Sequence, residues 1–182
     1  MLTSFAPRIR PERLIAAGRV VLALFSLFAV WLDPTEPARD AEFAYGLLLT
    51  YMLYAVAVAA VIWRVENIPS RWPFTSQVID IAFFSAVIFF TSGPGSPFNV
   101  YFVFASLCGA LRWQVRGTLI TAATTLAVFM LFGIYFGFID EDPAFPLRAF
   151  IIRGVYLIVL AVLIAYVAIY HRSEERRVGK EC

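Results

Sequence analysis

The amino-acid sequence predicts an all-α, polytopic membrane fold of six transmembrane helices with both termini in the cytoplasm, on three observations. Apolar residues make up 61% of the 182 positions and charged residues only 15%, a balance that a water-soluble domain of this length has no core large enough to hide. The charges avoid the apolar runs and gather in short segments between them, which is the hydropathy pattern of a polytopic chain. The arginines also fall on alternate loops, and cytoplasmic loops are the ones that retain basic residues. The net charge of +2 says little about partners, and beyond the lipid bilayer no nucleic-acid partner is expected.

The six spans are expected at 14–32, 41–63, 74–91, 97–112, 117–138 and 149–171. Each is long enough, or nearly so, to cross a hydrocarbon layer of about 30 Å at about 1.5 Å per residue. Residues 1–13 form a cytoplasmic segment in this reading. Arg8, Arg10 and Arg13 before an apolar run give the outline of a secretory signal, but the run is too long for one and is read as a retained span. The fourth span is the shortest and should thin or skirt the membrane. Its start is well marked, because Ser96 can cap the first turn and Pro97 suits a position that needs no amide donor.

Orientation follows from the arginines. One side receives Arg8, Arg10 and Arg13, then Arg64 and Arg71, then Arg112 and Arg116, whereas the other receives only Arg39 and Arg148. That second side is also acidic, with Asp33, Glu36 and Asp40 in one loop and Asp140, Glu141 and Asp142 in another. Trp31, Trp63, Trp72 and Trp113 all fall at expected helix ends, where indole rings prefer the headgroup zone. The outer half is instead rich in Phe89, Phe90, Phe98, Tyr101, Phe102, Tyr135, Phe136 and Phe138, a set suited to a belt or a pocket lining. The outer connections 33–40, 92–96 and 139–148 are too short for a separate ligand-binding domain. Any stimulus must therefore reach the helices themselves.

Residues 172–182 read Arg-Ser-Glu-Glu-Arg-Arg-Val-Gly-Lys-Glu-Cys. They resemble the in-frame translation of a sequencing adapter, which sets them aside from fold reasoning. On that reading the natural frame continues past His171 into the cytoplasm. Removing the segment takes four basic and three acidic residues from 15 and 13, leaving 11 and 10, and leaves Cys108 as the natural cysteine. No disulfide or metal-ligand spacing exists either way.

Arg19, Asp80 and Arg153 lie inside the spans, where an unpaired charge costs at least about 3 kcal/mol. Arg19 and Asp80 are each about 8 Å from the cytoplasmic start of their helices, so the two are expected to meet. Such a pair either fixes the register of the first and third helices or acts as a signalling latch. Arg153, near the outer end of the last span, is within reach of Glu42 or of the acids at 140–142. It either snorkels to headgroups or, with Glu42, Ser92, Ser96 and Tyr101, contributes to an outer-face ligand site.

The segment from Thr91 to Phe98, with two glycines and two prolines, is a tight outer turn. It is not a phosphate loop, since it lacks the lysine and the strand-to-helix context. Gly133 and Gly137 make a small-residue step, as do Ala105 and Gly109, and Thr118, Thr121 and Thr125 share a helix face; all favour close helix packing. His171 reads as a solvated helix-end residue without companion ligands. No catalytic, cofactor-binding or metal-binding residues are expected.

Four stretches carry a family resemblance: Arg-Val-Val-Leu-Ala-Leu-Phe-Ser-Leu-Phe-Ala-Val-Trp-Leu-Asp-Pro at 19–34, Thr-Ser-Gly-Pro-Gly-Ser-Pro-Phe at 91–98, Ala-Leu-Arg-Trp-Gln-Val-Arg-Gly-Thr-Leu at 110–119 and Phe-Ile-Ile-Arg-Gly-Val-Tyr-Leu at 150–157. They resemble the amino-terminal membrane sensor region of bacterial sensor histidine kinases. The resemblance implies a multi-pass sensor domain over 14–171 in the bacterial inner membrane. It also implies homodimerisation through a cytoplasmic region not present here, and transfer of the signal to a response regulator. ATP and Mg would belong to the absent kinase core, and this chain would hold no cofactor and no enzymatic activity. Similar modules also precede other outputs such as cyclic-dinucleotide synthases. A small permease or channel is the rival from another class, although no internal repeat of the transporter kind is evident; a scaffold subunit for helix association is a third reading.

Overall fold

The computed structural model describes residues 9–32, 41–65, 68–91, 93–139, 145 and 147–178, with side chains for all of these except 9, 10, 41 and 171–178. These residues are helical and contain no strand. The helices are α1 (Ile9–Leu32), α2 (Ala41–Arg64), α3 (Trp72–Thr91), α4 (Val100–Ile134) and α5 (Leu147–Val178). Among the described residues, five helical stretches are long and apolar enough to cross a membrane: Pro11–Leu32, Glu42–Arg64, Trp72–Thr91, Pro97–Ile139 and Leu147–Tyr170. The chain divides into two compact units, Met1–Phe98 and Asn99–Cys182.

In the first unit, buried positions recur every three or four residues on each helix. On α1 they are Glu12, Ile15, Ala16, Arg19, Ala23, Ser26 and Val30, and on α2 Ala44, Leu48, Tyr51, Ala55, Val58 and Ile62. That spacing draws one stripe along each helix. The alanines in it let the α1 and α2 backbones approach closely, as packing between helices in lipid requires. Tyr45 Oη donates to the Val30 carbonyl at 3.1 Å, which ties the start of α2 to the end of α1. Ala16, Val58 and Ile62 cluster at the opposite end with Trp72 of α3 packed against them, and Phe43 meets Phe90 with ring centroids 4.4 Å apart. The helices are therefore successively antiparallel.

The unit is apolar on its outside and partly polar within. Leu24, Phe25, Phe28, Leu53 and Phe74 are exposed while Glu12, Arg19, Ser76, Gln77 and Asp80 are buried. A soluble bundle is patterned the other way, so this arrangement fits a lipid surround. Trp31 and Trp63 point outward at helix ends, as the interfacial reading expects, whereas Trp72 is half-buried in the cluster just described.

In the second unit, α4 is not a continuous rod. Gln114 takes φ 57° and ψ −142° inside it, a conformation that residues with a Cβ rarely adopt. Gly109 and Gly117 then come into contact: a Cβ on Gly109 would lie 2.8 Å from the Gly117 carbonyl oxygen, and a Cβ on Gly117 would overlap the Gly109 carbonyl. Eight residues along an unbroken helix would separate them by about 12 Å, so the limbs 100–113 and 115–134 fold back side by side. This break falls between the expected fourth and fifth spans. The second limb ends in a widened turn, Tyr135–Ile139. The α5 helix packs along this limb, with Phe150 seated over Gly133 and stacked on Phe129 at 4.9 Å.

The helices run somewhat longer than the expected spans. α1 begins at Ile9 rather than 14, and the α5 backbone remains helical to Val178, past the expected limit at 171.

Candidate functional site

The interior of the first unit holds the charged residues expected to meet. Arg19 lies on the buried stripe of α1 and Asp80 on that of α3, where Ser76, Gln77, Phe84, Val87 and Ile88 are also buried. Arg19 Nε donates to both carboxylate oxygens of Asp80 at 3.0 Å. Its Nη2 donates to Oδ2 at 2.6 Å. The side chains are 0% and 1% exposed. A two-pronged guanidinium–carboxylate contact of this kind fixes orientation as well as charge.

Tyr51 of α2 completes the layer, its hydroxyl 3.4 Å from Asp80 Oδ1, too long for more than a weak hydrogen bond. Its ring packs against Phe83 and Phe84 of α3 at 5.5 and 5.3 Å, which joins α2 to α3 beside the ion pair. Arg19 Nη1 finds no acceptor among the described residues.

The surroundings of the pair are lopsided along the bundle. Toward the α1 amino end the buried stripes carry Glu12, Ser76 and Gln77 beside Ile15, Ala16, Val58 and Ile62; toward the other end they carry Ser26 and Thr91 beside Ala23, Leu48, Phe84, Val87 and Ile88. The buried glutamate and glutamine thus lie in one half of the unit, while buried hydroxyls occur in both. Sequence reasoning singled out Arg19 and Asp80 but not Glu12, Gln77 or Tyr51. Glu12 was legible, since it sits seven residues before Arg19 and so on the same face. Tyr51 carried no signal, being one aromatic in an apolar run.

The residues expected at an outer-face site have different environments. Ser96 is buried, and its Oγ accepts from Thr91 Oγ1 at 2.6 Å and from the Phe98 amide at 3.2 Å. The second bond is the cap expected at the start of the fourth span, and it closes a short turn at Pro97–Asn99 before α4 proper. Gly93 takes φ 53° in the preceding turn, a role that suits glycine. The Ser96 hydroxyl is therefore engaged within the turn. Tyr101 is fully buried within the second unit, Arg153 is half-buried there, and Glu42 is exposed on the first. Ser92 and the acids at 140–142 lie outside the described residues. Of the outer aromatics, Phe98, Tyr101, Phe102 and Phe136 are buried and Phe138 is exposed.

Thr118, Thr121 and Thr125 are buried on one face of the second limb of α4. Thr118 Oγ1 donates to the Gln114 carbonyl at 3.0 Å and Thr125 Oγ1 to that of Ala122 at 3.1 Å, which satisfies these two hydroxyls locally. Among the described residues no group of three His, Cys, Asp or Glu is placed to hold a metal ion. Cys108 is buried, and the side chain of His171 lies outside the described set. Comparison with protein-family models, with curated proteins and with solved structures gives no match.

Proposed function

We propose that the chain is the membrane-embedded sensory domain of a bacterial two-component histidine kinase, with six spans and both ends on the cytoplasmic side of the inner membrane. The observation that carries the reading is the buried Arg19–Asp80 pair within an apolar helical bundle. A charge pair enclosed among helices is costly for a mere anchor and useful where two arrangements must differ discretely. The resemblance at 19–34, 91–98, 110–119 and 150–157 supplies the output class. The break at Gln114 and the contact of Gly109 with Gly117 support two crossings within the Pro97–Ile139 stretch, each near the length a span needs.

In this mechanism a stimulus acts only through unequal affinity for two helix arrangements, and Arg19 and Asp80 part or re-pair between them. The last helix carries the change to a dimeric kinase core encoded beyond residue 171, where ATP and Mg would bind and from which phosphate would pass to a response regulator. Sequencing the gene downstream of the codon for His171 tests the class: an in-frame kinase core is the expected result, and a stop codon overturns it. Reporter fusions test the topology, with export expected at residues 36, 95 and 143 and cytoplasmic retention at 67 and 114. Export of the fusion at 114 would reject the six-span arrangement.

A further inference from the structure

Arg19 has more donors than Asp80 uses. Its Nε and Nη2 are engaged by the carboxylate, whereas Nη1, in a side chain that is 0% exposed, has no acceptor among the described residues. A second buried carboxylate lies on the same stripe of α1. Glu12 is 3% exposed and seven residues before Arg19, two helical turns or about 10 Å away on the same face. Helical side chains lean toward the amino end of their helix, so the geometry of α1 favours the arm of Arg19 in the direction of Glu12. Gln77 is buried three residues before Asp80, about 4.5 Å back along α3 toward the same end. Among the described residues of this unit Glu12 and Asp80 are the buried carboxylates and Arg19 is the buried cation, while Arg13, Arg64 and Arg71 are exposed.

We propose that Glu12 is the second carboxylate of the latch: when Arg19 leaves Asp80, its guanidinium swings toward the α1 amino end and pairs with Glu12, and the Gln77 amide oxygen accepts from it on the way. A guanidinium enclosed in a bundle cannot stand unpaired when its partner withdraws. An arrangement in which Arg19 and Asp80 part therefore needs another buried anion, and Glu12 is the one that the described interior offers. Because Nη1 is unengaged, a new acceptor can bind it before Nε and Nη2 release Asp80, so the guanidinium passes between carboxylates without a fully unpaired step. Glu12 and Gln77 have contacts of their own in the arrangement described, so the exchange replaces one set of contacts by another, as discrete switches do. The inference rests on the reading in which Arg19 and Asp80 part, but not on the output class.

The test is a mutant cycle on the full chain in detergent micelles, read as the unfolding equilibrium. Glu12→Gln should shift that equilibrium about thirtyfold further in the Asp80→Asn background than with Asp80 in place, within the range that members of one ion-pair network show. Glu12→Asp keeps the charge and should recover most of that extra shift. Solid-state NMR of the Asp80→Asn chain in liposomes, with arginine nitrogens and glutamate carboxyl carbons labelled, should show a close guanidinium–carboxylate contact that Glu12→Gln removes. The proposal is overturned if the Glu12→Gln shift is the same with and without Asp80, if Glu12→Asp does no better than Glu12→Gln, or if that contact is absent. It is also overturned if Asp80→Asn does not fold with Glu12 intact, because the second carboxylate would then be holding nothing. With a kinase core attached, signalling altered by Asp80→Asn but without the Glu12 coupling rejects the second carboxylate and leaves the latch standing, while unaltered signalling rejects both.

Discussion

In the first unit the interior of α1–α3 carries an arginine, an aspartate, a glutamate and a glutamine, whereas the buried faces of α4 and α5 in the second carry glycine, alanine, threonine and phenylalanine. Both units face the same physical problem. Lipid chains are as apolar as leucine, so burying apolar area does not drive helices together, and association must come from polar contacts or close backbone fit. The first unit adds to the close fit of α1 on α2 a directional contact between the long side chains of α1 and α3, which has discrete made and unmade states. The second relies on backbones in contact, where the fit has no alternative partner to move to. In the proposed mechanism the two-state element therefore belongs in the first unit and the rigid strut in the second.

The largest effect should come from breaking the ion pair on one side only. Asp80→Ala leaves Arg19 charged and buried without its carboxylate, and a loss of about 3–5 kcal/mol is expected. Arg19→Met with Asp80→Leu removes both charges and should recover most of that loss. Thermal unfolding in detergent micelles measures both. If the single and double variants were equally damaged, the layer would be held by shape rather than by charge pairing. With a kinase core attached, Asp80→Asn gives the functional reading, and unaltered signalling would remove the latch and leave a register device.

The second unit should fail differently. A Cβ on Gly117 meets the Gly109 carbonyl and Trp113 Cβ, and backbone cannot step aside as a side-chain end can. Gly117→Ala should therefore cost about 3 kcal/mol, the upper end for overpacking. Gly133→Ala meets only the outer ring atoms of Phe150, which can swing away, and should cost about 1 kcal/mol. Phe150→Leu in the Gly133→Ala background should restore part of that loss while doing nothing for Gly117→Ala. Equal losses at the two glycines, measured by the same unfolding assay, would contradict the distinction between backbone and side-chain contacts.

Much of the first unit is legible in the sequence because charge in an apolar run demands a partner, and depth along each helix then selects it: Arg19 and Asp80 could be matched by counting turns. The Ser96 cap was legible for a similar reason, since a hydroxyl before Pro97 has a specific amide to accept from. The second unit is less so. The small-residue steps visible in the sequence named Gly109, with Ala105, and Gly133, with Gly137, but not the partners Gly117 and Phe150 that meet them in the fold. Whether an aromatic faces lipid or protein was also hidden, because Tyr101 and Phe138 have similar apolar neighbours in sequence yet one is buried and the other 79% exposed. Only the three-dimensional neighbours distinguish them.

The smallest expected effect has the opposite sign and isolates what holds the second unit in shape. Gln114 has a positive φ, which costs a residue with a Cβ on the order of 1–3 kcal/mol relative to glycine, while glycine itself loses about 1 kcal/mol of chain entropy on folding. Gln114→Gly should therefore stabilise the protein by about 1 kcal/mol, and Gln114→Val, β-branched and intolerant of that conformation, should destabilise it. A gain in Gln114→Gly means that the reversal is imposed by the Gly109–Gly117 contact and merely endured at position 114. A loss would mean that the glutamine side chain itself holds the turn, and the rigidity ascribed to the second unit would then originate at its tip rather than in the fit of its limbs.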